Sequence, residues 1–298
     1  MNLDAELFPG FESRRVATSS VAIHCVRGGN GPPLLLLHGY PQTHAIWHRI
    51  APALARTFTV VCADLRGYGD SDKPPGDEAH ERYSKRAMAQ DMVELMRALG
   101  FDRFRLAGHD RGGRVSHRLA IDHPQVVEKL AVLDISPTQA MFAQTTAAFA
   151  SAYYHWFFLS QPFDHPERMI GADPRYYLLH KIKAWSKVQV PFDSRALAEY
   201  ERCFSDPATI HGSCEDYRAA ASIDLVHDEH DMAAGRKVEC PLLVLWGERG
   251  VVHRLFEPLD DWRAVAKVVR GRPLPCGHYL PEEAPDETLA ELETFFRG

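Results

Sequence analysis

The chain has 298 residues, 45% of them hydrophobic, 25% charged and 10% aromatic, which is the profile of a packed globule and excludes a disordered or fibrous chain. Lys+Arg 34 against Asp+Glu 40 leaves a formal charge of −6, so there is no basic footprint for nucleic acid or an anionic membrane surface, and an anionic ligand must be met by locally placed Arg or Lys. Residues 1–10 carry Asp4 and Glu6 with no apolar run, no stretch approaches the roughly 18 apolar residues that span a bilayer, and the six cysteines include no CxxC pair; a cytoplasmic protein with reduced, buried thiols is predicted.

Along the chain, Pro33–Leu37 and Thr59–Ala63 are short, continuously apolar runs, as expected of strands covered on both faces. Ser84–Leu99 follows with apolar residues at helical spacing (Met88, Met92, Leu95, Met96, Leu99). Then come a strand at Phe104–Ala107, a helix at Arg111–Asp122 and a strand at Leu130–Leu133, with a last strand signal at Pro241–Trp246. Strand alternating with helix predicts a doubly wound, mostly parallel α/β sheet. Between the last two strands the pattern changes. Residues 137–227 are rich in aromatics, show no buried-strand run, and are punctuated by Pro162, Pro166, Pro174 and Pro191. They are expected to form a helical cap over the ligand end of a core built from residues 1–136 and 228–298. Residues 73–81 read as a polar surface loop.

The sharpest chemical signal is Leu106-Ala107-Gly108-His109-Asp110-Arg111-Gly112-Gly113, directly after a strand and before a helix. Small residues on both sides permit the tight strand-to-helix turn that raises a nucleophile, and Asp110 stands at the nucleophile's position. An aspartate that merely capped a helix would not need glycines at both flanks. The same layout predicts an oxyanion hole from the backbone N–H of Arg111 and that of Tyr40 in His38-Gly39-Tyr40-Pro41. The side chain of His38 is expected to brace that loop.

A carboxylate nucleophile forms an ester with substrate carbon, and an activated water must then cleave it, so a base is required. Of 16 histidines, His278 in Cys276-Gly277-His278 lies after the last strand region and before the last helix and is the predicted base. The acid that orients it is expected to be Asp134, emerging at the carboxyl end of a parallel strand, with Glu248 a weaker candidate. His44 and His48 lack an evident carboxylate or third ligand and read as structural; no metal is assigned.

Arg111 and Arg114 lie beside the nucleophile, three apart on one helix. Two guanidinium groups exceed what one aspartate needs, and a substrate carboxylate is the natural third party, since planar guanidinium groups grip carboxylates in fixed geometry.

Taken together, His38-Gly39-Tyr40-Pro41, Asp64-Leu65-Arg66-Gly67-Tyr68-Gly69, Gly108-His109-Asp110-Arg111-Gly112-Gly113-Arg114, Leu133-Asp134, His155-Trp156 and Gly277-His278 resemble the haloacetate (fluoroacetate) dehalogenases of the α/β-hydrolase fold, over nearly the whole chain. The resemblance implies hydrolysis of small 2-haloacids with water as co-substrate and no cofactor. It implies Asp110, His278 and Asp134 as the catalytic set, Arg111 and Arg114 as carboxylate clamp, and His155 and Trp156 in a halide site. A homodimer is compatible with it. The register places Ser222 where the family's cap tyrosine is expected, with Tyr217 assigned to the neighbouring motif, so C–Cl and C–Br cleavage follow from the resemblance and C–F cleavage hangs on that position. The alternative is an epoxide hydrolase using Asp110 with Tyr153, Tyr154 or Tyr217 as acids. A cap-gated carboxylate receptor without turnover is disfavoured by the Asp110/His278/Asp134 set.

Overall fold

The computed structural model describes residues 3–189 and 192–298; Pro191, expected to punctuate the helical insert, lies outside them. Its strands are β1 (Glu12–Ala17), β2 (Ala22–Gly28), β3 (Pro33–Leu37), β4 (Thr59–Ala63), β5 (Phe104–His109), β6 (Val127–Leu133), β7 (Leu242–Gly247) and β8 (Val269–Leu274). They form one sheet in the order β1-β2-β4-β3-β5-β6-β7-β8. β2 is antiparallel to β1 and β4, and every pairing from β4 through β3 to β8 is parallel. The mostly parallel doubly wound sheet expected from the sequence is present.

The helices before the insert are α1 (Leu3–Leu7), α2 (Ala51–Leu54), α3 (Lys85–Ala98) and α4 (Arg111–Asp122). Ser84 caps α3 by accepting the Ala87 N–H, which satisfies one of the donors a helix start leaves free. α3 and α4 lie side by side, and α4 packs on β5 and β6. The central strands are buried on both faces, with Leu34 to Leu37, Val60 to Ala63 and Leu130 to Leu133 all inaccessible, which is why they read as unbroken apolar runs rather than alternating ones.

Between β6 and β7 the named elements among the described residues are all helices: α5 (Thr138–Ala143), α6 (Ala147–Ala152), α7 (His155–Leu159), α8 (His165–Gly171), α9 (Pro174–Trp185), α10 (Ser194–Phe204), α11 (Pro207–Ala220) and α12 (Ile223–Ala233). The expected boundary at 227/228 falls inside α12. That helix has no internal Gly or Pro and runs on to Ala233, two residues before Gly235, where φ is 66°, and its acidic face is held to α4 by Arg118, which contacts Asp228 at 3.1 Å and Asp231. The chain closes with α13 (Val251–Leu255), α14 (Pro258–Val265), α15 (Leu280–Glu283) and α16 (Pro285–Arg297). Among the described residues no helix is long and apolar enough to cross a membrane.

Candidate active site

Loops leaving the carboxyl ends of the parallel strands meet at one place: 38–41 after β3, Asp110 after β5, Asp134 after β6, and His278 beyond β8. Asp110 has φ 47° and ψ −114°, a conformation that costs an L residue of order 1–3 kcal/mol and persists only where its surroundings enforce it. Two neighbours tolerate that turn because they lack side chains. A Cβ on Gly108 would lie 2.4 Å from the Gly112 carbonyl oxygen, and one on Gly39 would lie 2.4 Å from Asp110 Cβ. The backbone of the 38–41 loop therefore touches the carboxylate directly, and the Tyr40 N–H donates to Asp110 Oδ1 at 2.9 Å. Oδ2 has no hydrogen-bond partner among the described residues. His38 braces this loop: its Nδ1 lies 3.0 Å from the Gly39 carbonyl and its Nε2 accepts the Leu65 N–H at 3.0 Å.

His278 is fixed at both ends. Its Nδ1 lies 2.6 Å from Asp134 Oδ2, whose other oxygen accepts the Gly247 N–H at 2.9 Å. Its backbone N–H donates to Trp185 O at 3.2 Å, and its carbonyl lies 2.8 Å from His109 Nε2. Burial pushes the His109 imidazolium down to about 3, so His109 is a neutral ring donating Nε2–H, and its ring packs 4.6 Å from that of His278. No local signal marks His109, because its partner is a main-chain carbonyl 169 residues away. Glu248, the weaker candidate for the orienting acid, is exposed beside Arg249.

Burial alone would push the His278 imidazolium down, but its hydrogen bond to Asp134 and the charges of Asp134 and Asp110 outweigh burial and raise it above 6.5. Asp110 is the converse case. Burial would raise its carboxyl, and the positive charges of His278, Arg111 and Arg114 hold it below 3.8.

The two arginines differ. Arg111 is fully buried and grips Asp216 of α11 through Nε (2.8 Å) and Nη2 (2.7 Å), with Nη2 also donating to the Asp216 carbonyl at 2.9 Å. Asp216 further accepts from Tyr68 at 2.7 Å and from Lys85. Arg114 donates only to neutral groups: Thr138 Oγ1 at 2.9 Å, the Ser136 carbonyl at 3.2 Å and Met141 Sδ at 3.2 Å. Burial, followed by the charge of Arg111, pulls it down to about 10.

Over these residues lie His155 and Trp156 of α7 and Tyr217 of α11. The Tyr217 ring centre is 5.4 Å from that of His155 and 6.4 Å from that of Trp156. Arg111 stacks on Tyr217 at 4.2 Å and Arg114 on Trp156 at 4.6 Å. Arg111 Nη1, Arg114 Nε, Trp156 Nε1, His155 Nδ1 and Tyr217 Oη are all buried without a partner. Unpartnered buried polar atoms are rare in folded proteins, and here four N–H or O–H donors and one imidazole nitrogen gather in one group.

A family model described as the alpha/beta hydrolase fold matches residues 32–285. A fluoroacetate dehalogenase of Burkholderia sp is 51% identical over 290 residues, covering 97% of this chain and 95% of that protein. The chain belongs to the haloacetate dehalogenase family of the α/β-hydrolase fold. Further out in the same fold, a soluble epoxide hydrolase of Corynebacterium sp. (strain C12) is 35% identical over 279 residues, covering 92% of this chain and 93% of that one. A solved α/β hydrolase of Nostoc sp PCC 7120 superposes with a TM-score of 0.95 at 57% identity, over 96% of this chain and 98% of that one.

In this α/β hydrolase, three sequence expectations need correction. Ser222 is exposed, lies beyond the end of α11 and donates to the Arg218 carbonyl at 2.7 Å, so it does not stand at the site. The buried hydroxyl there belongs to Tyr217, which sits one residue after Asp216 and is turned inward by the Arg111–Asp216 pair. Tyr154 is 40% exposed and lies under Lys181 at 3.3 Å, which removes it from the tyrosines that could act as acids. His44 is not without carboxylates: Asp64 and Asp4 flank it at 2.9 and 3.1 Å. His48 Nδ1 lies 2.9 Å from the Ala45 carbonyl.

Proposed function

We propose that the protein hydrolyses small 2-haloacids, haloacetates among them, through an ester on Asp110. The observation that carries this reading is Arg114, a buried guanidinium beside the candidate nucleophile with no carboxylate partner among the described residues. A substrate carboxylate would take its free Nε–H and the free Nη1–H of Arg111, which also offsets the repulsion between an anionic nucleophile and an anionic substrate.

Oδ2 of Asp110 attacks the halogen-bearing carbon in line, the C–halogen bond breaks, and halide departs toward the Trp156, Tyr217 and His155 donors. A hydrogen bond to a charged partner contributes about 1.5–3 kcal/mol, which matters most for fluoride. His278 Nε2 then takes a proton from water as the oxygen attacks Asp110 Cγ. The charge gathers on Oδ1, already held by the Tyr40 N–H, with the Arg111 N–H as second donor. Collapse frees the 2-hydroxyacid and restores the carboxylate, and the imidazolium returns its proton to solvent. Water is the co-substrate, and these steps draw on no cofactor or metal.

Helices α5–α12 are read as a cap over a core of the remaining chain, with 137–233 in place of 137–227. The protein is read as cytoplasmic, supported by its six free cysteines, and as a homodimer, supported by the family resemblance. An epoxide hydrolase reading would use Tyr153 and Tyr217 as acids but leaves the unneutralised Arg114 without a role. Halide release from fluoroacetate and chloroacetate, with Asp110→Asn as blank and styrene oxide in parallel, tests the assignment. Release of halide supports it, and turnover of the oxide alone overturns it.

A further inference from the structure

Away from this site, Asp4, His24 and His44 bring one ligand atom each to within 4.8 Å of one another. The two imidazoles meet edge to face, with centres 4.8 Å apart. Each turns Nδ1 to the same carboxylate, Asp64, at 3.0 Å from His24 and 2.9 Å from His44. Each turns Nε2 to Asp4, at 3.1 Å in both cases. Ser13 Oγ lies 3.0 Å from His24 Nε2. Asp64 is fully buried and pinned by the backbone N–H groups of His44 (2.7 Å) and Asp70 (3.0 Å), whereas the Asp4 side chain keeps 18% of its surface open and leaves a way in from solvent.

A neutral imidazole has one N–H and one lone pair. With both Nδ1–H groups given to Asp64, the two Nε2 atoms converge on the Asp4 carboxylate, and the positive charge this needs comes either from a proton on each Nε2 or from a cation that displaces those protons. A carboxylate on Nδ1 that leaves Nε2 to a cation is the orienting arrangement of histidine metal ligands. With both rings deprotonated at Nε2 the two carboxylates carry −2, which one divalent ion balances in place of two protons. We propose that Asp4 with the Nε2 atoms of His24 and His44 forms a divalent transition-metal site, with Asp64 orienting both rings and Ser13 or water completing it. Two imidazoles and a carboxylate suit zinc, which takes N and O ligands at four-coordinate sites. The ion would clip α1 to β2 and to the short turn His44–Trp47, which follows directly on the loop that carries Tyr40. None of the three ligands belongs to the proposed catalytic set; Asp64 lies 3.8 Å from His38 behind the 38–41 loop, and the ion's role would be structural.

The test is zinc titration of the full chain after chelation, read by calorimetry and thermal melting, with Asp4→Asn and His24→Gln alongside. One zinc per chain and a rise in Tm of roughly 4 °C at 100 times Kd are expected, with affinity at least about 100-fold weaker in both variants. Asp4 lies on the rim of the cluster, so Asp4→Asn keeps the comparison if His24→Gln does not fold. Cobalt(II) adds a check that needs no variant, since this ligand set gives visible bands without a thiolate charge-transfer band. Absence of stoichiometric zinc and of any Tm shift would overturn the proposal, as would equal binding by wild type and Asp4→Asn or a thiolate band with cobalt.

Discussion

The Arg111 guanidinium meets the Asp216 carboxylate with two nitrogens, at 2.8 and 2.7 Å, both groups fully buried, whereas Arg114, one helical turn on, has no carboxylate at all among the described residues. The difference divides two arginines that look equivalent in sequence. Removing Arg111 leaves a buried Asp216 with Lys85 as its remaining cation, and breaking a buried pair costs about 3–5 kcal/mol. Removing Arg114 breaks no ion pair, and Asp110, the buried anion it helps to hold, keeps His278 and Arg111. Arg111→Gln should therefore lower Tm sharply, while Arg114→Gln melts near wild type and raises KM for chloroacetate by about 10- to 150-fold, the loss of one charged hydrogen bond. Thermal melts paired with initial rates check both, and an unchanged KM in Arg114→Gln would remove Arg114 as the carboxylate anchor.

Tyr217 and Ser222 make a second paired test. Tyr217→Phe keeps the ring on Arg111 and deletes one donor from the halide side. Fluoroacetate turnover should fall by about 10- to 100-fold, with a smaller loss on chloroacetate, because fluoride leaves least readily without a donor. Ser222→Ala should match wild type on both substrates. The reverse pattern in halide-release assays would return the role to Ser222.

The pH dependence follows from His278. Its imidazolium is held above 6.5 by Asp134 and Asp110, and only the neutral ring can take a proton from water. As pH falls through that raised value, His278 becomes charged, ester hydrolysis slows and the Asp110 ester accumulates. The rate is recovered as pH rises. In Asp134→Asn the main cause of the upward shift is gone, so the inflection should move to lower pH while the rate falls by about 10³–10⁴-fold. Single-turnover rates across pH would show both, and an inflection that stays in place on this substitution would uncouple the two residues.

How far the sequence carried depended on whether a feature was local. The strands from β3 to β7 are legible because burial on both faces makes each an unbroken apolar run. β1 (Glu-Ser-Arg-Arg-Val-Ala) and β8 (Val-Arg-Gly-Arg-Pro-Leu) lie at the sheet edges, are half open to solvent and carry charges, so nothing in their composition announces a strand. Asp110 was legible because its turn needs Gly108 beside it. The partners of the site were not: Asp216 lies 105 residues from Arg111, and Asp4 and Asp64 reach His44 across 40 and 20 residues. The misplaced Ser222 has the same origin. Counting from a motif gives a position, but only the packing of α11 shows that its inward hydroxyl is Tyr217.

The central claim is that Asp110 becomes covalently linked to substrate, and the most direct measurement is the intact mass of His278→Asn after incubation with chloroacetate, followed by peptide mapping. The account predicts a protein heavier by one carboxymethyl group, with the adduct on Asp110 and about one chloride released per chain. Chloride released continuously with no adduct, or an adduct on any other residue, would contradict it.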